Sequence, residues 1–428
     1  MSCDKDTRKT FSITTLGCKL NQYESECIRQ SLVRRDWIYC RFEEKANFYI
    51  INSCTVTGKS DSRCRNAVRR ARRISPDATI IVTGCYAETQ PEKLEEMHET
   101  DLVLGNSFKE SIPLIMERIV EGKAVGMSNN NSLFVKNGAG TPMEIDNFLD
   151  HSRAFIKIQE GCNASCSYCI IPRARGKSRS VPAEAVTRQV KILADNGYNE
   201  IVLTGIHIGQ YGMDLDSGIG LTYLIETLLG QTKDLRIRLS SIEVNEVTDG
   251  LIELIKRTDR VASHIHIPLQ SGDNNILSAM NRRYSAEFFR GKIEEIASAG
   301  KSIAIGTDII VGFPGETEEN FRNTYDLVRE LPLSYFHVFS FSPRPGTGAS
   351  TMNNNVHPDL KKRRSKKLIR LGKAKKREFM KSCIGTIELA LIQGHMHRFS
   401  KFSRSLTGNY CEIFVKCPSN LTGKLAYL

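Results

Sequence analysis

The stretch Gly161-Cys-Asn-Ala-Ser-Cys-Ser-Tyr-Cys169 sets Cys162, Cys166 and Cys169 at a Cx3Cx2C spacing. Thiolates are soft ligands that suit iron–sulfur clusters, zinc or Cu(I). A structural zinc site closes with four protein ligands in paired halves. Here three thiolates fall within eight residues, and the nearest histidines are His151 upstream and His207 downstream. Three ligands on a cubane cluster leave one iron open for a small molecule, which makes a reaction site. The competing reading is an incomplete zinc knuckle.

A second cysteine set is spread more widely. Cys18, Cys54 and Cys85 each follow a short β-branched or aromatic run, at Phe11–Thr15, Asn47–Ile51 and Thr79–Thr83. Helical patterns near 22–36, 60–74 and 91–98 alternate with these runs, so a small parallel sheet covered by helices is expected over residues 1–125. Strands of a parallel sheet end on one edge, where such folds bind ligands. The three cysteines therefore converge, and they suit a second cluster held by three thiolates. Cys3, Cys27, Cys40, Cys64, Cys383, Cys411 and Cys417 show no such register and read as incidental, although Cys64 lies only ten residues past Cys54. Arg63, Arg65, Arg69, Arg70, Arg72 and Arg73 crowd the second helix with no acid between Arg63 and Ile74. A solvated face and a phosphate-binding face are both open there.

These sites need scaffolds. From Gly126 to His151 the chain turns polar and irregular, as a connection does (linker 126–152). A strand at Ala154–Gln159 then delivers the Cx3Cx2C loop, and further strands are predicted at 200–204, 236–240, 263–267, 303–311 and 335–341. Helices between them are predicted near 184–196, 220–230, 247–258, 286–299 and 317–330. Six repeats make a partial barrel or a doubly wound sheet, and periodicity does not separate the two. Composition is ordinary for a globular chain, with 428 residues, 40% hydrophobic and 25% charged. There is no signal-peptide pattern and no apolar run of membrane-spanning length, so a cytoplasmic protein is expected. Thirteen cysteines in such a chain argue for metal or catalytic thiols over disulfides.

The Cx3Cx2C run, with Tyr168 before its last cysteine, resembles the signature of radical S-adenosylmethionine (AdoMet) enzymes. The resemblance implies a partial (β/α)6 barrel over residues 153–382, a 4Fe–4S cluster on Cys162, Cys166 and Cys169, and AdoMet on the open iron. It also makes the rim loops candidates for AdoMet contacts, namely Gly205 and Gln210 after the second strand, Ser240 after the third, Gln270 after the fourth and Asp308 in the fifth. Arg173, Arg175, Lys177 and Arg179 follow the cysteines. Steering a nucleic acid, holding the AdoMet carboxylate and neutralising cluster charge all remain open for them.

Residues 361–381 hold twelve Lys and Arg against one acid, Glu378, nearly the whole +12 of the chain. Concentration of that kind favours a polyanionic partner. Beyond it, strand patterns at 384–392, 410–416 and 424–428, with Leu406-Thr-Gly-Asn-Tyr410, resemble a TRAM RNA-binding module over 383–428. The order of parts is similar to the methylthiotransferase family. Within it, Thr15-Leu-Gly-Cys-Lys-Leu-Asn-Gln-Tyr-Glu-Ser25 is closest to the branch acting on threonylcarbamoyladenosine in tRNA. The resemblance implies two 4Fe–4S clusters, one AdoMet methylating a cluster-bound sulfide and another yielding a radical, and insertion of methylthio at carbon-2 of the adenine beside the anticodon. It implies tRNA, a low-potential electron donor protein and a sulfur donor as partners, no membrane, and a monomer. The alternatives are a methylthiotransferase for isopentenyladenosine tRNA or for a ribosomal protein, and a non-enzymatic zinc-bearing RNA-binding protein.

Overall fold

A computed structural model of the chain describes residues 9–123, 144–149, 151–216, 218–299, 302–396 and 399–428. Cys3, residues 126–143 of the expected linker and Asp150 lie outside them. The chain divides into two compact units, Met1–Asp146 with Arg173–Gly176, and Asn147–Pro172 with Lys177–Leu428. Among the described residues no helix is long and apolar enough to cross a membrane.

The first unit is built on β1 (Thr10–Thr15), α1 (Lys19–Val33), β2 (Ile38–Tyr39), β3 (Phe48–Ser53), α2 (Gly58–Ile74), β4 (Thr79–Gly84), α3 (Cys85–Thr89), α4 (Glu92–Glu95), β5 (Leu102–Leu104) and α5 (Ile112–Val120). The five strands form one parallel sheet in the order β2-β1-β3-β4-β5. Alternation along β3 supplies both faces. Tyr49 and Ile51 pack with Val68 and Ala71 of α2, whereas Phe48 and Ile50 pack with Ile28 and Leu32 of α1 and Ile112 and Ile115 of α5. β5 has only three residues, and neither it nor α5 was among the elements expected from the sequence.

The second unit contains β6 (Ala154–Lys157), β7 (Gln159–Glu160), α6 (Ile171–Arg175), β8 (Arg179–Ser180), α7 (Ala183–Asp195), β9 (Glu200–Thr204), α8 (Leu221–Gln231), β10 (Arg236–Leu239), α9 (Asp249–Arg257), β11 (His264–His266), α10 (Asn274–Ala279), α11 (Ala286–Ala297), β12 (Ala304–Val311), α12 (Glu318–Glu330), β13 (Tyr335–Ser340) and α13 (Pro358–Ser382). Residues 173–175 of α6 count with the first unit. Parallel pairing runs β6-β9-β10 and β11-β12-β13. Parallel bridges Ile237–Val261 and Ser241–His266 join the two sets between β10 and β11. Six parallel strands in sequential order, each followed by helix, are the partial barrel rather than a doubly wound sheet.

After α13 come β14 (Leu389–Met396), β15 (Phe399–Thr407), β16 (Glu412–Val415) and β17 (Leu425–Tyr427), an antiparallel sheet ordered β16-β15-β14-β17. One of its two inner strands, β15, is one that the sequence pattern did not reveal. A buried ion cluster fastens this sheet to the barrel. Glu200 of β9 meets Arg236 and Arg238 of β10, with Arg238 Nε 3.1 Å from its carboxylate. The same guanidiniums donate to the carbonyl oxygens of Leu406 (3.0 Å), Thr407 (2.9 Å) and Gly408 (3.0 Å), and Arg236 also reaches Leu389. Burial opposes the Glu200 charge, but Arg238 and Arg236 outweigh it and hold the carboxyl well below the usual carboxylate range.

Candidate active site

In the first unit, Cys18 caps α1, Cys54 follows β3 and Cys85 opens α3 directly after β4. The three strand ends are tied together by short polar side chains. Asn21 donates to the carbonyls of Leu16 (2.7 Å) and Ser53 (2.9 Å), and Asn52 donates to Asn21 O (3.0 Å). Ser53 Oγ accepts from Tyr86 N at 3.1 Å. Gly17 sits at φ +106°, and a Cβ there would lie 2.6 Å from Cys54 Cβ and 2.9 Å from its sulfur. Only glycine lets the first loop come this close to the second cysteine.

Charge is arranged around the trio. Burial pushes the Cys54 thiol up, and its neighbours Cys85 and Cys18 add to the effect. Arg175 is buried in this unit, donating to Asn21 Oδ1 and to Glu24, with a second contact to Glu24 at 3.1 Å. Glu24 also pairs with the buried Lys109. Burial disfavours the Arg175 charge, but Glu24, Cys85 and Cys18 together raise its pKa well above the ordinary value. So of the four cations after the Cx3Cx2C motif, Arg175 is committed to the N-terminal trio, while Arg173, Lys177 and Arg179 are exposed. Nothing in the spacing singled out Arg175, Glu24 or Lys109.

Three arginines of α2, Arg69, Arg70 and Arg72, find acids from outside the helix, which a scan of the helix alone could not show. Arg70 meets Glu43 at 2.9 Å and Arg72 meets Asp101 at 2.6 Å, while Arg65 donates to Tyr86 Oη at 2.9 Å. Cys64 lies fully buried in the apolar layer under α2, where burial lifts its thiol to about 12.

In the second unit the Cx3Cx2C loop leaves the C-terminal end of β6 and is anchored at several points. Ser167 N donates to Met280 O (3.1 Å), Ala349 N to Ser167 O (2.7 Å) and Asn281 Nδ2 to Ser165 O (2.8 Å). Tyr168 packs against the apolar cluster of Ile276, Met280, Phe313 and Phe341. Burial lifts the Cys169 thiol to about 12, with Cys166 and Cys162 adding to it. Two ion pairs reach the sulfurs. His207 Nδ1 is 3.4 Å from Cys162 Sγ and its Nε2 is 2.8 Å from Glu246. Burial opposes the His207 charge, yet Cys162 and Glu246 raise its pKa to about 10. Arg282 donates to Cys166 Sγ at 3.4 Å and pairs with Glu243. The sequence marked His207 only as the nearest histidine downstream of the motif and carried no cue for Glu246 or Arg282, because the contacts span 39 residues or more.

The rim residues expected from the resemblance take varied positions. Gly205 follows β9, where a Cβ would meet Gln159 O and Ile208 Cγ2 at 2.9 Å. Gln159 Oε1 accepts from Ile206 N (3.0 Å) and His207 N (2.8 Å), and its Nε2 donates to Gly161 O (2.8 Å) and Ser178 Oγ (2.8 Å). This side chain thus clamps the β9 loop to the cysteine loop. Gln210 is half-buried in the turn Ile208–Gln210. Ser240 follows β10, and its hydroxyl is buried without a hydrogen-bond partner among the described residues. Gln270 stands at φ +66° after β11. Asp308 lies inside β12, the fifth strand in which it was expected, and its carboxylate faces His266 at 3.1 Å.

A partial barrel with a three-cysteine loop at its rim defines the radical AdoMet class of protein. The family model described as Radical SAM superfamily matches residues 156–328, and that described as Uncharacterized protein family UPF0004 matches residues 10–105. The threonylcarbamoyladenosine tRNA methylthiotransferase MtaB of Bacillus subtilis (strain 168) is 38% identical over 422 residues, 97% of this chain and 92% of that protein. The protein of the same name from Aquifex aeolicus (strain VF5) is 37% identical over 404 residues, 93% and 95% of the two chains. The tRNA-2-methylthio-N(6)-dimethylallyladenosine synthase of Finegoldia magna (strain ATCC 29328) is 32% identical over 429 residues, 97% and 90%. Among solved structures, the radical AdoMet methyltransferase TsrM from Kitasatospora setae, determined with cobalamin and a 4Fe–4S cluster, matches with a TM-score of 0.58 at 15% identity. That match covers 80% of this chain and 77% of TsrM, and at such identity it is a likeness of fold. The chain belongs to the methylthiotransferase family, in its threonylcarbamoyladenosine tRNA branch.

Proposed function

We propose that this protein inserts a methylthio group at carbon-2 of threonylcarbamoyladenosine, beside the anticodon of tRNA, by radical AdoMet chemistry. The observation that carries the reading is the pair of three-cysteine sets, each at the C-terminal edge of its own parallel sheet. Cys162, Cys166 and Cys169 would hold one 4Fe–4S cluster, and Cys18, Cys54 and Cys85 a second. Once bound, the first cluster would supply reductive cleavage of AdoMet and the second would carry the sulfur that is transferred.

The protein's own groups set the conditions around each trio. Arg175 places a buried cation beside Cys18 and Cys85, offsetting the negative charge that thiolate ligation brings. His207 with Glu246, and Arg282 with Glu243, do the same at Cys162 and Cys166. The orphaned Ser240 hydroxyl offers a hydrogen bond to AdoMet, and Gly205, Gln210 and Gln270 line the same rim. Asp308 is turned to His266 instead.

Lys362, Arg363, Lys366, Lys367, Arg370, Lys373, Lys376, Arg377 and Lys381 are exposed along one side of α13, whereas Arg364, Leu368 and Gly372 are buried on the other. That stripe suits tRNA phosphates, and the β14–β17 sheet beyond it would add a TRAM-like RNA contact. We place the protein in the cytoplasm as a monomer, supplied by a low-potential electron donor protein and a sulfur donor.

Anaerobically reconstituted protein tests the assignment with tRNA and AdoMet. Alanine at Cys162, Cys166 and Cys169 should abolish AdoMet cleavage. Alanine at Cys18, Cys54 and Cys85 should abolish methylthiolation and leave cleavage measurable. Methylthiolated tRNA from the second variant would refute the two-cluster reading.

A further inference from the structure

A third group of ligand-bearing side chains lies within the barrel unit, and the proposed reaction does not use it. His266 of β11, Asp308 of β12 and His337 of β13 come from three adjacent parallel strands. Asp308 and His337 are direct cross-strand partners, and His266 pairs with Gly306, two residues before Asp308. With a side-chain period of two, all three project from one face of the sheet. It is the face away from the helices, because Phe336, the neighbour of His337, packs on Gly372 of α13. One ring nitrogen from each histidine and one Asp308 oxygen all lie within 4.8 Å of one another.

The surroundings orient these groups as ligands. His266 turns Nε2 to Asp308 (3.1 Å), and its Nδ1 is held 3.2 Å from Tyr335 Oη. The same hydroxyl is 2.8 Å from His264 Nε2, and the His264 ring stacks on Tyr410 with centroids 4.4 Å apart. Fixing one imidazole nitrogen through a hydrogen bond so that the other faces the ion is the usual outer-shell arrangement of metal-bound histidine. Gly306 makes room for it. A Cβ at that position would lie 2.4 Å from Tyr335 Cζ and 2.8 Å from His266 Nδ1.

A plain hydrogen-bond network would account for His266 and Asp308 but not for His337, whose ring stacks on His266 at 5.8 Å and makes no hydrogen bond among the described residues. Burial is graded from His266 (buried) through Asp308 (half-buried) to His337 (exposed), which leaves one side open to an entering ion.

We infer that His266, Asp308 and His337 bind one divalent first-row transition-metal ion, of the zinc(II) or iron(II) kind, with at least one coordination position left to solvent or ligand. Two imidazoles and one carboxylate are the donor set such ions take when part of their coordination sphere stays free.

The probe is zinc itself. Cluster-loaded, full-length protein is dialysed anaerobically against micromolar Zn2+ and then against a weak chelator, and zinc and iron per chain are counted together. Wild type should retain one zinc with no loss of iron, and X-ray absorption should show nitrogen and oxygen ligands at about 2.0–2.2 Å. His337→Ala and Asp308→Asn should bind zinc at least ~10-fold more weakly, and Tyr335→Phe about 10- to 100-fold, the range for an outer-shell partner. The exposed His357→Ala should match wild type. Asp308→Asn keeps the side chain's shape, so the comparison survives if an alanine variant folds poorly. Wild type retaining no zinc, zinc retained equally by His337→Ala and Asp308→Asn, or sulfur ligands at about 2.3 Å with matching iron loss would each overturn the assignment.

Discussion

The twelve cations of residues 361–381 look alike in sequence, yet the fold divides them, and the division predicts two distinct mutant phenotypes. Nine are exposed along α13. Arg364 instead is buried against Glu316 (2.6 Å) and Glu318 (3.0 Å), and Lys375 donates to Leu331 O at 2.7 Å. If about six of the exposed nine meet phosphates, tRNA affinity should fall about 10³-fold between 50 and 200 mM salt. Replacing Lys366, Arg370 and Arg377 by Gln should make the slope of log K against log salt shallower by about 2–3, at roughly 0.7–0.9 for each phosphate no longer neutralised. The fold should be untouched, since none of the three is buried. Arg364→Gln should do the reverse. It strands the buried Glu316 carboxylate and should cost about 3–5 kcal/mol of stability, with an unchanged salt slope in whatever protein remains folded. Fluorescence anisotropy of labelled tRNA over a salt series, beside thermal unfolding of each variant, reads both quantities. An unaltered slope in the triple variant would refute the phosphate stripe, and an altered slope in folded Arg364→Gln would refute the division.

Other expectations concern the clusters, the rim and the barrel base. Gly17→Ala, by driving a Cβ against Cys54, should remove about four irons per chain, one cubane, and leave AdoMet cleavage in place; iron analysis with a cleavage assay decides it. Ser240→Ala should weaken AdoMet binding about 3- to 10-fold, the worth of a hydrogen bond of ~0.5–1.5 kcal/mol, as read by calorimetry, and unchanged affinity would remove Ser240 from the site. Glu200→Gln should cost about 3–5 kcal/mol by leaving two buried guanidiniums uncompensated, loosening the C-terminal sheet to limited proteolysis. Because the folded carboxyl is held below its unfolded value of about 4.3, its stabilisation is complete only above about pH 5. It is withdrawn as pH falls towards the folded value. That acid-side loss should be missing from the Glu200→Gln unfolding profile.

Much of the molecule is legible locally. Strand β12 shows a run of β-branched residues, α12 its amphipathic period and a Thr317–Asn320 capping box, and the cysteines stand at the ends of runs that any parallel sheet aligns on one edge. Elements that pack without a strong period of their own stayed hidden, among them β5, α10 and the inner strand β15. Their structure is imposed by the neighbours they cover.

What the sequence by itself determined is therefore the chemistry: thiolates at fixed spacing, strand and helix periods, and the balance of charge, all written within a few residues. Tertiary structure alone decided which charges are spent inside the protein and which face a partner. Arg175 is drawn to Glu24 across 151 positions, Arg236 and Arg238 to the carbonyls of β15, and His266, Asp308 and His337 to one another. Coulombic and hydrogen-bond energies depend on distance and burial, and chain spacing records neither.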